Sequence, residues 1–351
     1  MGRRADALTG ELLRLALGNG GASDPNRARR VLYSASASTW KECLVRLYEH
    51  RLLGLAYHGL VQNGLIDRVP AEAAGTLRAQ YESCRANNRM LLLTLVGLGR
   101  KFSALGVDAV ACKGVVLASQ YYPDPGMRTV GDVDVWIERD RFDACDRELQ
   151  QTWSRRWSTD GHGDSASYVN RLGIVLDLHW RMRLFERFEG GFSALTETAP
   201  AEHGYRVFEP HALLTHLCDH FSAHQKNVGP MLCWLIDLGI VMQKQGDRLQ
   251  LDRLRQLMVE SDFANLMRTA RMLRIFGMVL PEHIRKASES YRPFDFVTLL
   301  RRRRLTLWGL PNYIGWARLG ANVLGMYRAA GRARPTVSEL LLWLFDREKR
   351  W

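Results

Sequence analysis

The chain has 351 residues, of which 46% are hydrophobic and 25% charged, so we expect a packed, soluble protein long enough for two or three domains. Its formal net charge of +12 comes almost wholly from arginine and favours anionic partners such as nucleotides, nucleic acid or phosphorylated substrates. No uncharged apolar run approaches the ~20 residues of a membrane span, and six dispersed cysteines without a signal peptide predict reduced thiols, so we expect a cytoplasmic protein that does not enter membranes.

The predicted elements, taken in chain order, divide the sequence into three regions. Residues 1–85 read as helical, residues 86–200 as a small core of strands and helices, and residues 201–351 as helical again from about 205 onward. The coarse prediction is therefore a small α/β core flanked by helical regions.

Within the core, turn signals separate the predicted elements. A helix is expected to end at Gly106, where glycine suits a helix C-terminus, and a short strand follows at 107–112. A second strand is predicted at 132–138, and residues 166–180 read as a hairpin that turns near Gly173.

Acidic residues interrupt two of these predicted strands. Because side chains two positions apart in a strand share a face, Asp132 and Asp134 point together, and so do Asp177 and His179. A lone Asp-x-Asp is also common on the solvated face of an edge strand, so the neighbouring residues matter. If the two strands are adjacent, three carboxylates converge, and their repulsion requires a cation, for which oxygen ligands favour Mg²⁺ or Mn²⁺.

Cationic residues and a glycine accompany the acids. Lys113 and Gly114 fall at a predicted junction of a strand and a helix, where free backbone N–H groups bind anions. Lys113 adds a point charge, Arg128 a planar one, and Gly114 lets a phosphate approach the backbone. Acids for a metal together with cations for phosphates predict a nucleoside triphosphate bound with magnesium.

The order of these short motifs carries a resemblance. Lys-Gly, Tyr-Pro-Asp-x-x-x-Arg, Asp-x-Asp and Asp-Leu-His-Trp follow one another between residues 113 and 180. This series resembles the bacterial family named uncharacterised nucleotidyltransferase, which is placed in the DNA-polymerase-β-like nucleotidyltransferase superfamily. The similarity is best over residues 86–182 and extends more weakly to about 245. It implies an α+β fold, with a small mixed-sheet polymerase-β-like core flanked by helical N- and C-terminal regions.

The resemblance also implies roles for individual residues. Asp132 and Asp134 would ligate the metal ions, Asp177 would be the third acid, and Gly114 the phosphate-loop glycine. Lys113 stands where the wider superfamily has a small residue, so its phosphate role depends on its charge. The implied reaction is a magnesium-dependent transfer of a nucleoside monophosphate, AMP from ATP, to a small-molecule, peptide or protein acceptor, with release of pyrophosphate. Natural-product biosynthesis is the setting that the family suggests.

Further polar residues are candidates for the acceptor side. His179 is expected either to reach the acceptor or to make a structural hydrogen bond, and the sequence does not decide between these roles. His216 and His220 lie on one stripe of a predicted helix, with His224 one turn further on. This stripe reads as a polar seam or a wall of the acceptor pocket rather than as a zinc site. Asp237, in the next apolar segment, is expected to pair with one of these histidines.

Two other classes of function remain open. The same fold can serve as a nucleotide-binding scaffold or sensor without catalysis, although such a protein has no need of three mutually repelling acids. The net charge of +12 also allows an RNA-modifying transferase, but the arginine run at 301–304 reads as a solvated helix face. Magnesium-dependent NTP binding would favour the enzyme, and steeply salt-dependent RNA binding would favour the RNA-modifying class.

Overall fold

Helices make up most of the described chain. The computed structural model describes residues 2–18, 25–156, 165–182, 184, 192–199, 203–225 and 230–300, so the arginine run at 301–304 lies outside the described residues. None of the described helices is long and apolar enough to cross a membrane. The α-helices are α1 (Gly2–Leu17), α2 (Pro25–Ser34), α3 (Ala37–Glu49), α4 (Leu53–Gln62), α5 (Ala71–Ala104), α6 (Lys113–Val116), α7 (Phe142–Gln150), α8 (Pro210–Gln225), α9 (Leu232–Gln245), α10 (Leu251–Leu257), α11 (Glu260–Ile275) and α12 (Glu282–Ser288).

The long helix α5 joins the N-terminal helices to the sheet. Leu91 and Phe102 are buried on the face that it turns to the core. The helix is followed by Gly106, whose φ of 68° is easily adopted only by glycine. Gly106 N donates to Ser103 O at 2.9 Å and Val107 N to Phe102 O at 2.9 Å, which is the Schellman arrangement. The predicted helix end is therefore confirmed.

The same helix passes through the first predicted region boundary. α5 continues from Ala71 to Ala104, so residue 85 lies inside it. The described residues all belong to one compact unit, residues 1–300. The division at 85 and 200 stays a prediction.

A mixed sheet lies at the centre of the described chain. Its strands are β1 (Val110–Cys112), β2 (Asp132–Trp136), β3 (Trp153–Arg155), β4 (Ser165–Asn170), β5 (Val175–His179), β6 (Thr196–Thr198) and β7 (Arg206–Phe208). Their order is β3-β4-β5-β2-β1-β7-β6. β2 pairs with β5 and β1 with β7 in parallel, whereas the other neighbours are antiparallel. The predicted α+β fold with a mixed sheet flanked by helices is confirmed.

The hairpin at Gly173 brings the second acidic strand into place. Gly173 has a φ of 78°, and its N–H donates to Asn170 O at 3.0 Å to close the turn between β4 and β5. Antiparallel pairing then sets Ser167 opposite Asp177. Since β5 also pairs with β2, the hairpin delivers its acid to the middle of the sheet.

The region from about 205 onward, almost all of which reads as helical in the sequence, also contains the short strand β7. Arg206–Phe208 forms a strand that pairs in parallel with β1, and Arg206 N donates to Ala109 O at 2.7 Å. A strand of three residues is too short to show a side-chain period, so its pattern could not be told from that of the helix that begins at Pro210.

The loop before β2 is held by two asparagines of α5. Asn88, 3% exposed, donates through Nδ2 to Pro125 O and to Arg128 O, both at 2.7 Å. Asn87 Nδ2 donates to Val130 O at 2.9 Å. These bonds satisfy three carbonyl groups of the loop and fix the backbone from which Arg128 extends.

Candidate active site

Three carboxylates occupy one face of neighbouring strands. β2 and β5 run in parallel with Asp134 directly opposite Asp177, and Asp132 lies two residues before Asp134 on the same face. Adjacent strands lie about 4.8 Å apart, so the two opposed residues are immediate neighbours. On the other face, Val133 and Leu176 are fully buried in the core. The two acidic strands are therefore neighbours, which is the condition on which the convergence of the three carboxylates depends.

Burial and repulsion act on two of these acids. Burial raises the pKa of Asp132 to about 6, and the charges of Asp134 and Asp177 add to this effect. Burial also raises the pKa of Asp177, and the charge of Asp134 adds to it, although a hydrogen bond from Ser167 opposes the shift. The arrangement therefore holds negative charge at an energetic cost, which a bound cation would relieve.

Asp134 already has two partners. Its Oδ1 accepts a hydrogen bond from Lys113 Nζ at 3.0 Å and lies 3.1 Å from His179 Nε2. Its side chain is only 7% exposed, and burial alone would raise its pKa, but Lys113 and His179 together hold that pKa well below the ordinary value. The structure thus gives His179 the hydrogen bond that was one of its two expected roles.

The backbone of Lys113 is unusual. Lys113 directly follows Cys112, which pairs with Asp134 across β1 and β2, and it has a φ of 48°. A residue with a side chain in this region costs on the order of 1–3 kcal/mol, and such strain concentrates at functional sites. Burial lowers the pKa of Lys113, but Asp134 more than offsets this and raises it. Lys113 is therefore a charged ammonium group.

Gly114 is required by close packing. A Cβ at this position would lie 2.7 Å from Val130 Cγ1 and 3.2 Å from Arg128 Nη1. Val130 belongs to the loop that α5 holds in place, so the space cannot easily open. The predicted approach of a phosphate to Gly114 stays a prediction, and its packing against the loop is sufficient reason for a glycine.

Arg128 and Asp237 form one buried ion pair. Arg128 donates from Nε to Oδ1 at 2.8 Å and from Nη2 to Oδ2 at 2.7 Å, and Tyr122 Oη donates to Oδ1 at 2.7 Å. Asp237 is 1% exposed. Burial lowers the pKa of Arg128, but Asp237 more than offsets this and raises it, so the guanidinium stays charged. Asp237 thus pairs with Arg128 and Tyr122, and the expectation that it pairs with a histidine of α8 is corrected.

His216 and His220 lie near the acids as neutral imidazoles. Burial lowers the pKa of His216 to about 3 and the charge of Lys113 lowers it further, while Asp134 opposes the shift. Burial and Lys113 also hold the pKa of His220 well below its ordinary value. His216 is 7% exposed, and its Nε2 has no hydrogen-bond partner in the described part of the chain. A buried nitrogen of this kind can receive a polar group of a ligand.

The outer end of this histidine stripe is aromatic. The ring of His220 lies 4.3 Å from that of His224 and 5.1 Å from that of Trp234, measured between centroids. Trp234 belongs to α9, so the stripe forms a wall between α8 and α9. The role of this stripe as a polar seam or a wall of the acceptor pocket stays a prediction.

The candidate ligands for a metal ion are the carboxylates of Asp132, Asp134 and Asp177. Among the described residues, no three His, Cys, Asp or Glu side chains are arranged to hold a metal ion. Asp134 turns instead to Lys113, and Asp177 to Ser167. The donor types still suit magnesium, because three carboxylates share one face, and burial together with their mutual repulsion raises the pKa of Asp132.

Three residues near the acids were not found from the sequence. Ser167 bonds Asp177, Tyr122 bonds Asp237, and the charge of Arg51 lowers the pKa of Asp132. The alternation of polar and apolar residues along β4 could have placed Ser167 on the acid face. Tyr122 belongs to the motif Tyr-Pro-Asp-x-x-x-Arg, but nothing local indicates its partner Asp237, and no local pattern marks Arg51.

The fold and the paired acids agree with what the nucleotidyltransferase resemblance implied for this chain. The model of the family described as uncharacterised nucleotidyltransferase matches residues 36–277. The chain belongs to this family, and its general activity is accordingly nucleotidyl transfer.

Similarity to individual proteins is more distant. The crystal structure of an antigenic nucleotidyltransferase-like protein from Paracoccidioides brasiliensis is 16% identical, with a TM-score of 0.38, and the match covers 54% of this chain and 94% of that one. No curated protein matches the chain.

Proposed function

We propose that the protein transfers a nucleoside monophosphate, AMP from ATP, to a hydroxyl group of a small-molecule, peptide or protein acceptor. The observation that supports this most is the placement of Asp132, Asp134 and Asp177 on one face of two adjacent parallel strands. Membership of the nucleotidyltransferase family supports the reaction class.

In the proposed reaction, the acceptor oxygen attacks the α-phosphorus. The new P–O bond forms as the bond between the α-phosphorus and its bridging oxygen breaks, and that oxygen leaves with pyrophosphate. Asp177 takes the proton of the acceptor hydroxyl, since burial raises its pKa and makes it a better proton acceptor than an exposed aspartate. Magnesium or manganese, when held by Asp132, Asp134 and Asp177, supplies positive charge against the phosphate oxygens and acidifies the hydroxyl.

The cations take different parts. Lys113 reaches the acid face directly, so we assign its ammonium group to the phosphates, which requires it to leave Asp134 when the triphosphate binds. Arg128 is committed to Asp237, and we therefore assign it a positioning role behind Gly114 in place of direct phosphate binding. On the acceptor side, the neutral imidazoles of His216 and His220 accept or donate hydrogen bonds to an uncharged group.

A second candidate function follows from the bond between Lys113 and Asp134. This ion pair neutralises one acid without a metal, which favours a nucleotide-binding scaffold or sensor that performs no transfer. The two functions differ in their need for magnesium.

Thermal unfolding with each NTP tests the proposal. With and without magnesium, wild type is compared with Asp132→Asn, which removes a predicted metal ligand and leaves the pair of Lys113 and Asp134 intact. A ligand present at a hundredfold excess over Kd stabilises the folded state by about 2.7 kcal/mol. We expect a magnesium-dependent stabilisation, greatest with ATP, that the variant lacks. Stabilisation that is the same in both proteins and indifferent to magnesium would favour the scaffold.

A further inference from the structure

A serine hydroxyl of the protein itself lies against one of the three acids. Ser167 Oγ donates a hydrogen bond to Asp177 Oδ1, and Asp177 is the carboxylate that takes the proton of the acceptor hydroxyl in the proposed reaction. A general base must lie within hydrogen-bond reach of the proton that it removes. Ser167 meets this condition for a hydroxyl that belongs to the chain.

The register of the sheet sets Ser167 in line with the acids. Antiparallel pairing places Ser167 opposite Asp177, and parallel pairing places Asp177 opposite Asp134. Adjacent strands lie about 4.8 Å apart, so these three residues form one row across β4, β5 and β2. Residues directly opposite each other in paired strands turn their side chains to the same face of the sheet. The hydroxyl of Ser167 therefore belongs to the face that holds the carboxylates.

The backbone of Ser167 is held on both sides, and its side chain can be reached. Arg156 N, directly after β3, donates to Ser167 O at 2.7 Å, and β5 pairs with β4 on the other side. The side chain of Ser167 is partly exposed, whereas those of Ala166 and Tyr168 are buried. A hydroxyl that is fixed beside a base and open to a reagent has the arrangement of an activated nucleophile.

The next hydroxyl along β4 has a different arrangement. Tyr168 Oη also donates to a carboxylate, Asp146 Oδ1 at 2.5 Å, but Tyr168 points to the opposite face of the strand. Tyr168 is fully buried and Asp146 belongs to α7, so this bond joins the sheet to a helix. Ser167 instead bonds an acid of the strand that already pairs with its own, on the face of the three carboxylates.

We propose that Ser167 is an acceptor within the protein, so that the chain transfers AMP from ATP to its own Ser167 hydroxyl when no other acceptor is bound. Ser167 Oγ attacks the α-phosphorus, and its proton passes to Asp177. The bond between Oγ and phosphorus forms as the bond between the α-phosphorus and its bridging oxygen breaks, and that oxygen leaves with pyrophosphate. This inference rests on the proposed function, because it names an acceptor for that reaction. Its product is a serine that carries AMP through a phosphodiester bond.

Labelled ATP tests the assignment. The full chain is incubated with magnesium and ATP labelled in the α-phosphate, without added acceptor, and the modified residue is located by peptide mass spectrometry. We expect a single adenylyl group, at Ser167, and no label from ATP labelled in the γ-phosphate. Ser167→Ala should lose the label, whereas Ser167→Thr keeps a hydroxyl group and should retain it. Ser165→Ala is the matched control and should be labelled like wild type, because Ser165 lies two residues earlier on the same face of β4.

Binding of ATP is followed in the same samples by the magnesium-dependent rise in unfolding temperature. If wild type shows this rise and gains no label, the assignment of Ser167 is wrong and the proposed function stands. Label on another residue, or equal labelling of Ser167→Ala, would also overturn the assignment. If Ser167→Ala does not fold, the site mapped in wild type and the labelling of Ser167→Thr decide. If wild type neither binds ATP nor gains label, or if the label comes from the γ-phosphate, both proposals fail.

Discussion

Arg128 donates two hydrogen bonds to Asp237 across 109 residues of chain, and this pair joins the loop before β2 to the middle of α9. Both residues are buried, and each would leave an unpaired charge if the other were removed. The pair is therefore a structural link between the loop before β2 and α9.

Loss of one partner of this pair should destabilise the protein strongly. Arg128→Met leaves the carboxylate of Asp237 buried without its cation, which typically costs about 3–5 kcal/mol. The double variant Arg128→Met/Asp237→Leu removes both charges and should be more stable than the single variant. Urea denaturation measures Arg128→Met, Asp237→Leu and the double variant, with Arg171→Met as an exposed control. If the double variant loses as much as the two single variants combined, the two residues are not coupled.

Burial of Asp132 and its repulsion by the neighbouring acids predict that the stability of the protein depends on pH. In the unfolded chain, Asp132 has an ordinary pKa near 3.8, whereas in the folded protein its pKa is about 6. The folded state then binds more protons between these values, so stability falls as pH rises from about 4 to 6. In metal-free protein, the free energy of unfolding should fall by roughly 1–3 kcal/mol over this range, and Asp132→Asn should abolish the decrease.

Denaturation in EDTA at several pH values measures this contribution. The difference between wild type and Asp132→Asn isolates Asp132 from the other titrating groups. A difference that is constant from pH 4 to 7 would mean that neither burial nor the charges of Asp134 and Asp177 raise the pKa of Asp132 in solution.

His216 should stay neutral well below the ordinary histidine range. Its pKa is lowered to about 3, so the unfolded chain takes up a proton below pH 6.5 while the folded protein does not. The unfolded state binds more protons there, and this contribution to stability is complete above pH 6.5 and is lost as pH falls toward 3. NMR titration of the imidazole resonances should show His216 unprotonated at pH 5. Protonation near pH 6.5 would place His216 outside the buried wall.

The close packing at Gly114 predicts the effect of one methyl group. Gly114→Ala places a Cβ 2.7 Å from Val130 Cγ1 and should destabilise the fold by about 1–3 kcal/mol. Gly131→Ala is the control, since nothing lies within 4 Å of its Cβ position. Val130→Ala should recover part of the loss when combined with Gly114→Ala. Thermal unfolding of the four proteins measures this, and equal stability of the two single variants would contradict the packing argument.

The sequence predicted the elements with a clear period. The alternation in β2 and in β5 placed the acids of each strand on one face, and the turn glycine Gly173 predicted the hairpin. The adjacency of these two strands was a condition in the sequence argument, and the structure meets it. Local periodicity was sufficient because each strand has five or more residues.

Long-range pairing could not be predicted in the same way. The bond between Arg128 and Asp237 depends on how α9 packs, and the commitment of Lys113 to Asp134 depends on the register of β1 against β2. A three-residue strand such as β7 is determined by its pairing with a neighbouring strand, here β1, rather than by its own sequence. Side-chain pairs that depend on tertiary packing cannot be predicted from local sequence patterns.

Two asparagines in the middle of α5 connect this long helix to the loop before β2. Asn87 and Asn88 donate hydrogen bonds to carbonyl groups of the loop that carries Arg128. Both asparagines belong to α5, which begins at Ala71. A chain trimmed to start at residue 86 would keep both asparagines and lose the first four turns of the helix that keeps them in line. Such a fragment is expected to lose the alignment of its loop before it loses its sheet, so any shortened form of this protein should retain the whole of α5.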